Sequence, residues 1–268
     1  MRVCAGIALL FGMLLWHPGV ARQGQGAGPK ANEARTPVVV ELFTSEGCSS
    51  CPPADALLTQ LDKVQPFARA QVIALEEHVD YWDEQGWKDP FSSVLWTERQ
   101  REYSERLGGG GPYTPEMVVD GAVGFVGSRG ISARDAILQA AAAPKAKIEL
   151  SLIAPAQNKS VTFRVGIEKF ENRAPKDKNE VILGITETGL ASAVKAGENS
   201  GQELHHSAVV RELRVLGEVG KNGQETFSAE PTVKLDSKWN VANLRAVIFV
   251  QERKSRRILG AAEIPVTP

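Results

Sequence analysis

The stretch that most constrains the fold is the junction where an apolar run gives way to a helical pattern at a pair of cysteines. Residues 38–43 read VVVELF, a β-branched apolar run typical of a strand buried on both faces. From Pro53 the apolar residues recur at helical spacing, and proline suits a first helical turn. The order strand, Cys48-Ser49-Ser50-Cys51, helix therefore predicts an α/β unit.

The residues alone allow three chemical roles for the cysteine pair. Two thiols separated by two residues can cycle between dithiol and disulfide, bind a soft metal ion, or fix a turn. A bond between Cys48 and Cys51 would close a very short loop, and such loops restrict the unfolded chain least. Bulk stabilisation is therefore a poor explanation for the pair.

Further elements extend this unit through residues 37–143. A second strand is predicted at QVIAL (71–75), a charged helix at 96–107, and a hairpin in EMVVDGAVGFVGS (116–128) that turns at Asp120-Gly121. An alanine-rich helix follows at 131–143. This order predicts a mixed sheet with flanking helices.

Beyond Pro144 the apolar period changes to two, as in residues 148–152 and 161–167. Further strands are predicted at EVILGITE, AVVRELRVLGEV, ETFSAEPTVKL, LRAVIFVQE and RRILGAAEI. Several short strands separated by loop signals are typical of a β-sandwich. The sequence thus predicts a second, all-β sandwich-like domain over residues 145–268.

The N-terminus has the pattern of an export signal. One positive charge at Arg2 precedes an apolar run that ends near Trp16, and small residues lead to Ala21. We predict a signal peptide at 1–21, a flexible leader at 22–36, and a periplasmic or secreted protein with no integral membrane span after cleavage. An uncleaved membrane anchor is the alternative. Cleavage would also remove Cys4, leaving one cysteine pair.

Composition narrows the function classes. With a net charge of -1 and only short basic clusters, the chain has no field that would recruit nucleic acid. Gly108 to Gly111 lack the Lys-Ser/Thr that completes a phosphate-binding loop, and no Ser-His-Asp motif is present. Neither nucleotide-dependent nor serine-hydrolase chemistry is predicted, and no cofactor is expected.

Motifs along nearly the whole mature chain resemble those of one family. FTSEGCSSCPPADALL, HVDYWD, GWKDPF, YTP, VVDG and VKAGENSGQELHHSAVVREL occur in the order seen in the secreted, thioredoxin-like family called domain of unknown function 1223. The resemblance implies a thioredoxin-like N-terminal domain whose first active-site strand leads into Cys48-Ser49-Ser50-Cys51.

Within such a fold, the resemblance implies roles for four residues. Cys48, as the more exposed cysteine, would be a nucleophile whose thiolate is stabilised by the helix N-terminus. Cys51 would be the resolving thiol. Pro115, after Thr114, takes the position of the cis-proline that lies against the cysteine pair and leaves a backbone edge for substrate. Partners would be protein thiols or disulfides in the cell envelope, or small thiols.

Side chains that follow the second strand are predicted to form the rim of this site. His78 could stabilise the thiolate or shuttle a proton, or its ring could simply bond to a loop carbonyl; Asp80, Tyr81 and Trp82 would lie beside it. Glu41 could accept the proton of Cys51 through water, although its register places it on the opposite face of its strand.

Two departures and two rival functions keep the activity open. The dipeptide Ser49-Ser50 and the long insertion after His78 differ from ordinary thioredoxins, and Glu46 opposes a low thiolate pKa. One rival is a Cu(I) or Zn(II) protein with Cys48, Cys51 and His78 as ligands. The other is a non-enzymatic envelope-binding or assembly protein with a structural disulfide. The leading prediction is thiol-disulfide exchange without a metal.

Overall fold

The strand β1 (Thr36–Thr44) lies inside the protein, and every residue from Val38 to Thr44 is buried. The computed structural model describes residues 1, 35–108, 110–157, 159–171, 173–174, 176–220 and 225–267. The predicted signal peptide after Met1, and the predicted leader up to residue 34, lie outside these residues. The last two leader residues are described, and Thr36 already belongs to β1.

The N-terminal part has the predicted elements in the predicted order. After β1 come α1 (Pro52–Val64), β2 (Ala70–His78), α2 (Val94–Leu107), β3 (Glu116–Val119), β4 (Val123–Val126) and α3 (Gly130–Ala141). None of these helices is long and apolar enough to span a bilayer, within the part of the chain that the structure describes.

Apart from one 3-10 helical turn at Val241–Asn243, the regular elements described in the C-terminal part are strands. These are β5 (Ile148–Gln157), β6 (Ser160–Ile167), β7 (Asn179–Glu187), β8 (Leu190–Ala193), β9 (Glu203–His206), β10 (Val209–Val219), β11 (Phe227–Ala229), β12 (Thr232–Lys234), β13 (Leu244–Glu252) and β14 (Ile258–Pro265). The stretch ETFSAEPTVKL forms two strands, since Pro231 separates β11 from β12. β8 and β9 pair with each other as a separate antiparallel hairpin.

One eight-stranded mixed sheet joins the two parts of the chain, in the order β14-β13-β7-β10-β2-β1-β3-β4. β2 is parallel to β1 along its length, and on its other edge it pairs in parallel with β10 through Val209 and Glu76. Four strands from beyond residue 144 therefore continue the N-terminal sheet. The described residues from Arg35 onward belong to a single compact unit.

The division into two separate domains at residue 144 thus differs from the structure. The small sheet of β5, β6, β11 and β12 does pack face to face on β7 and β13, as in a sandwich, with a core that includes Phe163, Leu183 and Ile248. However, the second sheet of this sandwich is the eight-stranded mixed sheet, which also contains the N-terminal strands. Apolar periodicity reveals that a strand has a buried face, but not which strand pairs with its edge.

Two further cores lie on opposite faces of the large sheet. Helices α1 and α3 cover the face that carries Val40 and Leu42, and α2 packs on the other face against Phe43, Ile73 and Phe249. Because β1 alternates between these two cores, it must be apolar on both sides, as its sequence indicates.

The predicted hairpin turn joins β3 to β4. Asp120 and Gly121 both have positive φ, 47° and 61°, as a two-residue hairpin turn requires. A Cβ atom at Gly121 would lie 1.9 Å from the carbonyl oxygen of Arg256, so the turn and this close approach both require glycine.

Candidate functional site

The cysteine pair lies at the start of α1, where the sequence predicts it. Cys48 and Cys51 form a disulfide, and the carbonyl of Cys51 accepts hydrogen bonds from the backbone N–H groups of Ala54 (2.8 Å) and Asp55 (3.2 Å). Pro52 occupies the first helical position, where a missing N–H leaves no donor unpaired. Local chemistry is therefore sufficient to begin the helix at the disulfide.

Both cysteines are inaccessible to solvent. Cys48 and Cys51 each have 0% relative exposure, whereas Ser49 and Ser50 between them are exposed. The expectation that Cys48 is the more exposed cysteine is therefore wrong. Its burial comes from two distant segments that lie over the start of α1.

The first segment is the loop 195–201 between β8 and β9, which we call the covering loop. The Asn199 side chain donates from Nδ2 to the carbonyl oxygens of Glu46 (2.9 Å) and Cys48 (3.0 Å). The Glu198 carboxylate accepts a hydrogen bond from the backbone N–H of Ser49 at 3.0 Å. Asn199 is itself buried, so these contacts fix the covering loop over the disulfide turn.

The second segment is the insertion 79–92 after β2. A Cβ atom placed on Gly47 would lie 3.1 Å from the Cβ of Trp82, so Trp82 packs directly against the residue that precedes Cys48. The Trp87 Nε1 donates to Glu46 Oε2 at 2.7 Å. A Cβ on Gly197 would lie 3.2 Å from the Cβ of Trp87, which brings the insertion against the covering loop.

The Thr114-Pro115 peptide bond is cis, as the resemblance implies. Thr114 Oγ1 accepts a hydrogen bond from Trp82 Nε1 at 2.8 Å. A Cβ on Gly127 would lie 3.1 Å from the Cβ of Ala54 and 3.3 Å from the Cβ of Pro115. Pro115 and the first turn of α1 thus flank the same glycine.

The predicted rim residues divide into two groups. Asp80, Tyr81 and Trp82 are half-buried: Asp80 Oδ1 accepts from the Thr97 hydroxyl (2.6 Å), and the Tyr81 hydroxyl donates to Gln100 (3.1 Å). Burial raises the pKa of Tyr81 to about 12. His78, by contrast, has 0% exposure and is not a rim residue.

His78 belongs to a buried polar group that we call the histidine cluster, consisting of Glu46, Glu76, His78, Asp89 and His206. His206 Nδ1 lies 2.7 Å from Glu76 Oε1, and His206 Nε2 lies 3.1 Å from Glu46 Oε1. His78 Nδ1 lies 2.7 Å from Asp89 Oδ2, and its Nε2 lies 3.4 Å from Glu76 Oε1. The two rings meet edge to face, with centroids 4.7 Å apart.

The electrostatics of this cluster favour charged histidines when no other cation is bound. Burial by itself would lower the pKa of His206, but the Glu76 and Glu46 carboxylates together outweigh burial, and the pKa rises to about 9. Burial likewise opposes the charge of Glu76, and His206 nevertheless brings the pKa of that carboxyl down to about 2. Asp55 behaves differently, since burial followed by repulsion from Glu76 raises its pKa to about 7.

Glu41 lies in a different polar network on the α2 face of the sheet. Its carboxylate accepts hydrogen bonds from Arg99 Nε (2.6 Å) and from the Tyr103 hydroxyl (2.5 Å). α1 and its cysteines pack on the opposite face. A role for Glu41 in deprotonating Cys51 is therefore ruled out by the face on which it lies, as the register indicates.

Sequence reasoning placed Glu198, Asn199, His205 and His206 in a polar loop that could serve an interface, but it did not identify Glu76, Asp89, the contact of Asn199 with the disulfide turn, or the pairing of His78 with His206. One signal was present for Glu76 and His78: the strand IALEEHV is buried, and three ionisable residues in a buried strand require buried partners. For Asn199 no local signal exists, because polar loops that face solvent have the same composition.

Comparisons with known proteins add a family and a fold. The crystal structure of protein AGR_C_4864 from Agrobacterium tumefaciens is similar to this chain, with a TM-score of 0.60 and 25% sequence identity, over 88% of this chain and 97% of that one. HBP35 of Porphyromonas gingivalis has a TM-score of 0.65 at 15% identity, over 87% of this chain and 76% of that one, a likeness of fold alone. No curated protein matches the chain.

A family model described as "Protein of unknown function (DUF1223)" matches residues 39–251. This range begins in β1 and ends in β13, so it includes the disulfide, the covering loop and the histidine cluster. The motifs quoted from the sequence fall within it. The chain belongs to the DUF1223 family.

Proposed function

We propose that the protein is an exported thiol-disulfide exchange protein that acts through Cys48 and Cys51. The observation that carries the proposal is the disulfide at the N-terminus of α1, between β1 and the first helical turn. Amide dipoles at this position stabilise a thiolate. This favours Cys48 as the nucleophile when the pair is reduced, and as the leaving group when it is released from a mixed disulfide.

The topology around the disulfide supports this proposal. The strand order β2-β1-β3-β4, with β1 parallel to β2 and β3 antiparallel to both neighbours, is similar to that of thioredoxin-like domains. The helices follow β1, β2 and β4, which is also the order of such domains. The predicted signal peptide supports export to a compartment where disulfides persist.

The reaction starts from the disulfide form. A substrate thiolate attacks Cys48 Sγ, the Cys48–Cys51 bond breaks, and Cys51 leaves as a thiolate, which gives a mixed disulfide between the substrate and Cys48. A second substrate thiolate then attacks the substrate sulfur and releases the Cys48 thiolate. The substrate loses two electrons and gains a disulfide, while the pair gains the same two electrons. The reverse sequence reduces a substrate disulfide.

Burial of both cysteines requires the cover to open before this chemistry. The covering loop is fixed by hydrogen bonds from Asn199 and to Glu198. Each of these hydrogen bonds contributes about 1 kcal/mol, so opening of the covering loop costs about 3 kcal/mol in free energy. An open state at that cost is populated at roughly 0.1 to 10%, which is enough for exchange with a bound partner.

The same burial favours a second candidate, a binding or assembly protein in which the disulfide is purely structural. The 0% exposure of both cysteines is the observation behind it. In that case the bond should resist reduction as long as the protein is folded.

Stepwise reduction in native buffer separates the two candidates. The oxidised protein is incubated with dithiothreitol, free thiols are blocked with a maleimide, and the mass increase is compared with the unfolding signal of the same sample. Exchange function predicts two blocked thiols while the protein stays folded. It also predicts that Cys51→Ser accumulates mixed disulfides with envelope proteins and that Cys48→Ser does not. A bond that opens only on unfolding, with no adduct that depends on Cys48, would establish the structural disulfide instead.

A further inference from the structure

The histidine cluster contains three potential ligand atoms that face one another and that the proposed exchange chemistry does not use. We propose that Glu76 Oε1, His78 Nε2 and His206 Nδ1 form a binding site for a divalent transition-metal ion of the Zn²⁺ class. The site uses no cysteine, so it differs from the Cys48, Cys51 and His78 set considered from sequence.

The distances fit a metal site of ordinary size. The ligand atoms of the three residues lie within 4.8 Å of one another. Ligands at about 2.0 to 2.2 Å from a tetrahedral Zn²⁺ are roughly 3.3 to 3.6 Å apart, and His78 Nε2 lies 3.4 Å from Glu76 Oε1. His206 Nδ1 lies 2.7 Å from the same oxygen, and it would need to move outward by roughly 0.6 to 0.9 Å to share an ion.

Each proposed ligand is oriented by a second interaction. His78 contacts Asp89 through Nδ1, and His206 contacts Glu46 through Nε2. With the rings neutral and these two nitrogens protonated, the lone pairs of His78 Nε2 and His206 Nδ1 would face the ion, which would replace the present hydrogen bond between His206 Nδ1 and Glu76. Histidine ligands in proteins commonly donate their other N–H to a carboxylate in this way. Glu76 Oε2 accepts the backbone N–H of Ser207 at 2.8 Å, which leaves Oε1 for the ion.

An unsatisfied atom points independently to a ligand. His78 Nε2 is buried and makes no hydrogen bond within the described part of the chain, although the ring is fully enclosed. Glu76 Oε1 lies 3.4 Å away without forming a hydrogen bond, and a metal ion between them would supply the interaction that this buried nitrogen lacks. Phe91 packs against both histidine rings, with centroid distances of 5.3 and 5.5 Å, and closes the cluster on an apolar side.

Ligand chemistry selects the ion. Two imidazole nitrogens and one carboxylate suit Zn²⁺ and its first-row neighbours, whereas Ca²⁺ and Mg²⁺ prefer sites made of oxygen atoms only. One carboxylate and two neutral imidazoles fill three positions of a tetrahedral site, and a water or another oxygen ligand can fill the fourth.

Calorimetric titration with Zn²⁺ tests the site on the purified, chelator-treated, disulfide-bonded protein. We expect one equivalent per chain, with binding weakened at least about 100-fold in His78→Gln and in His206→Gln. Asp89→Asn, which removes the carboxylate that orients His78 through Nδ1, should weaken binding by about 10- to 100-fold. The matched control is His205→Gln, because His205 is the neighbouring residue on β9 and its side chain is 72% exposed. This control should bind Zn²⁺ as the parent does.

Two further measurements separate the proposed metal site from the proposed exchange function and from folding defects. The Cys48→Ser/Cys51→Ser double variant should retain Zn²⁺ binding, and Co²⁺ bound to the unmodified protein should show ligand-field bands without thiolate charge transfer. Absence of stoichiometric binding, equal loss in His205→Gln, loss in the double cysteine variant, or a thiolate signal would each overturn the proposal.

Discussion

Asn199 bridges the carbonyl oxygens of Glu46 and Cys48 with one side-chain amide, although it is 151 residues from Cys48 in sequence. A residue of the strand-rich C-terminal part thereby covers the disulfide of the N-terminal part. This contact helps to explain why both cysteines of the Cys48-Ser49-Ser50-Cys51 motif are fully buried, although the sequence predicts an exposed Cys48.

Removing this bridge should expose the disulfide. Asn199→Ala deletes both hydrogen bonds, which contribute about 1 kcal/mol each, so we expect reduction by dithiothreitol to accelerate about 10-fold or more while the fold is retained. Ser200→Ala is the matched control, because Ser200 is exposed and its hydroxyl donates to the carbonyl of Lys195 within the same loop. Equal reduction rates in all three proteins would show that the covering loop does not control access.

The hydrogen bond between Trp82 Nε1 and Thr114 Oγ1 joins the insertion to the Thr114-Pro115 segment. A double-mutant cycle with Trp82→Phe and Thr114→Val should give a coupling of about 0.5 to 1.5 kcal/mol in the free energy of unfolding. Thr114→Ser keeps the hydroxyl and should retain the coupling. Strictly additive effects in urea denaturation would indicate that the bond contributes nothing.

Tyr103 is the centre of the buried network on the α2 face. Its hydroxyl donates to Glu41 and accepts from Arg99 (3.0 Å) and Gln251 (2.8 Å), so Tyr103→Phe leaves three buried groups short of a partner. We expect a loss of about 3 kcal/mol in the free energy of unfolding. Tyr81→Phe removes a single half-buried bond to Gln100 and should cost about 1 kcal/mol. A smaller loss for Tyr103→Phe than for Tyr81→Phe would contradict this description of the network.

Glu263 should make the stability of the protein depend on pH. Burial, only partly offset by Arg245, raises the pKa of Glu263 from 4.5 to about 7. The folded state therefore holds this proton more tightly than the unfolded state does. Its contribution to stability is fully present below pH 4.5 and is lost as the pH rises to about 7.

Substitution isolates this contribution. The difference in unfolding free energy between the parent and Glu263→Gln should change by up to about 3 kcal/mol between pH 4.5 and 7. Glu149→Gln serves as a control for the removal of a surface carboxylate, because the Glu149 side chain is 71% exposed. Parallel pH profiles for the parent and Glu263→Gln would refute the assignment.

Much of the local structure could be predicted from the sequence. The apolar run 38–43, the prolines after Cys51 and the Asp120-Gly121 dipeptide each act over a few residues, and each forms the predicted element. The cis state of Thr114-Pro115 also agrees with the family resemblance. The exposure of Cys48 and His78 could not be predicted, because residues from 199 to 207 decide it.

The sequence by itself determined which segments form strands and helices, and that the cysteine pair begins a helix, because periodicity, capping and turn chemistry are short-range properties. Only the tertiary structure decided that β10 pairs with β2, that Asn199 covers the disulfide, and that His78 meets His206. Those contacts join residues far apart in the chain, and they depend on which edges and faces remain to be filled once the local elements have formed.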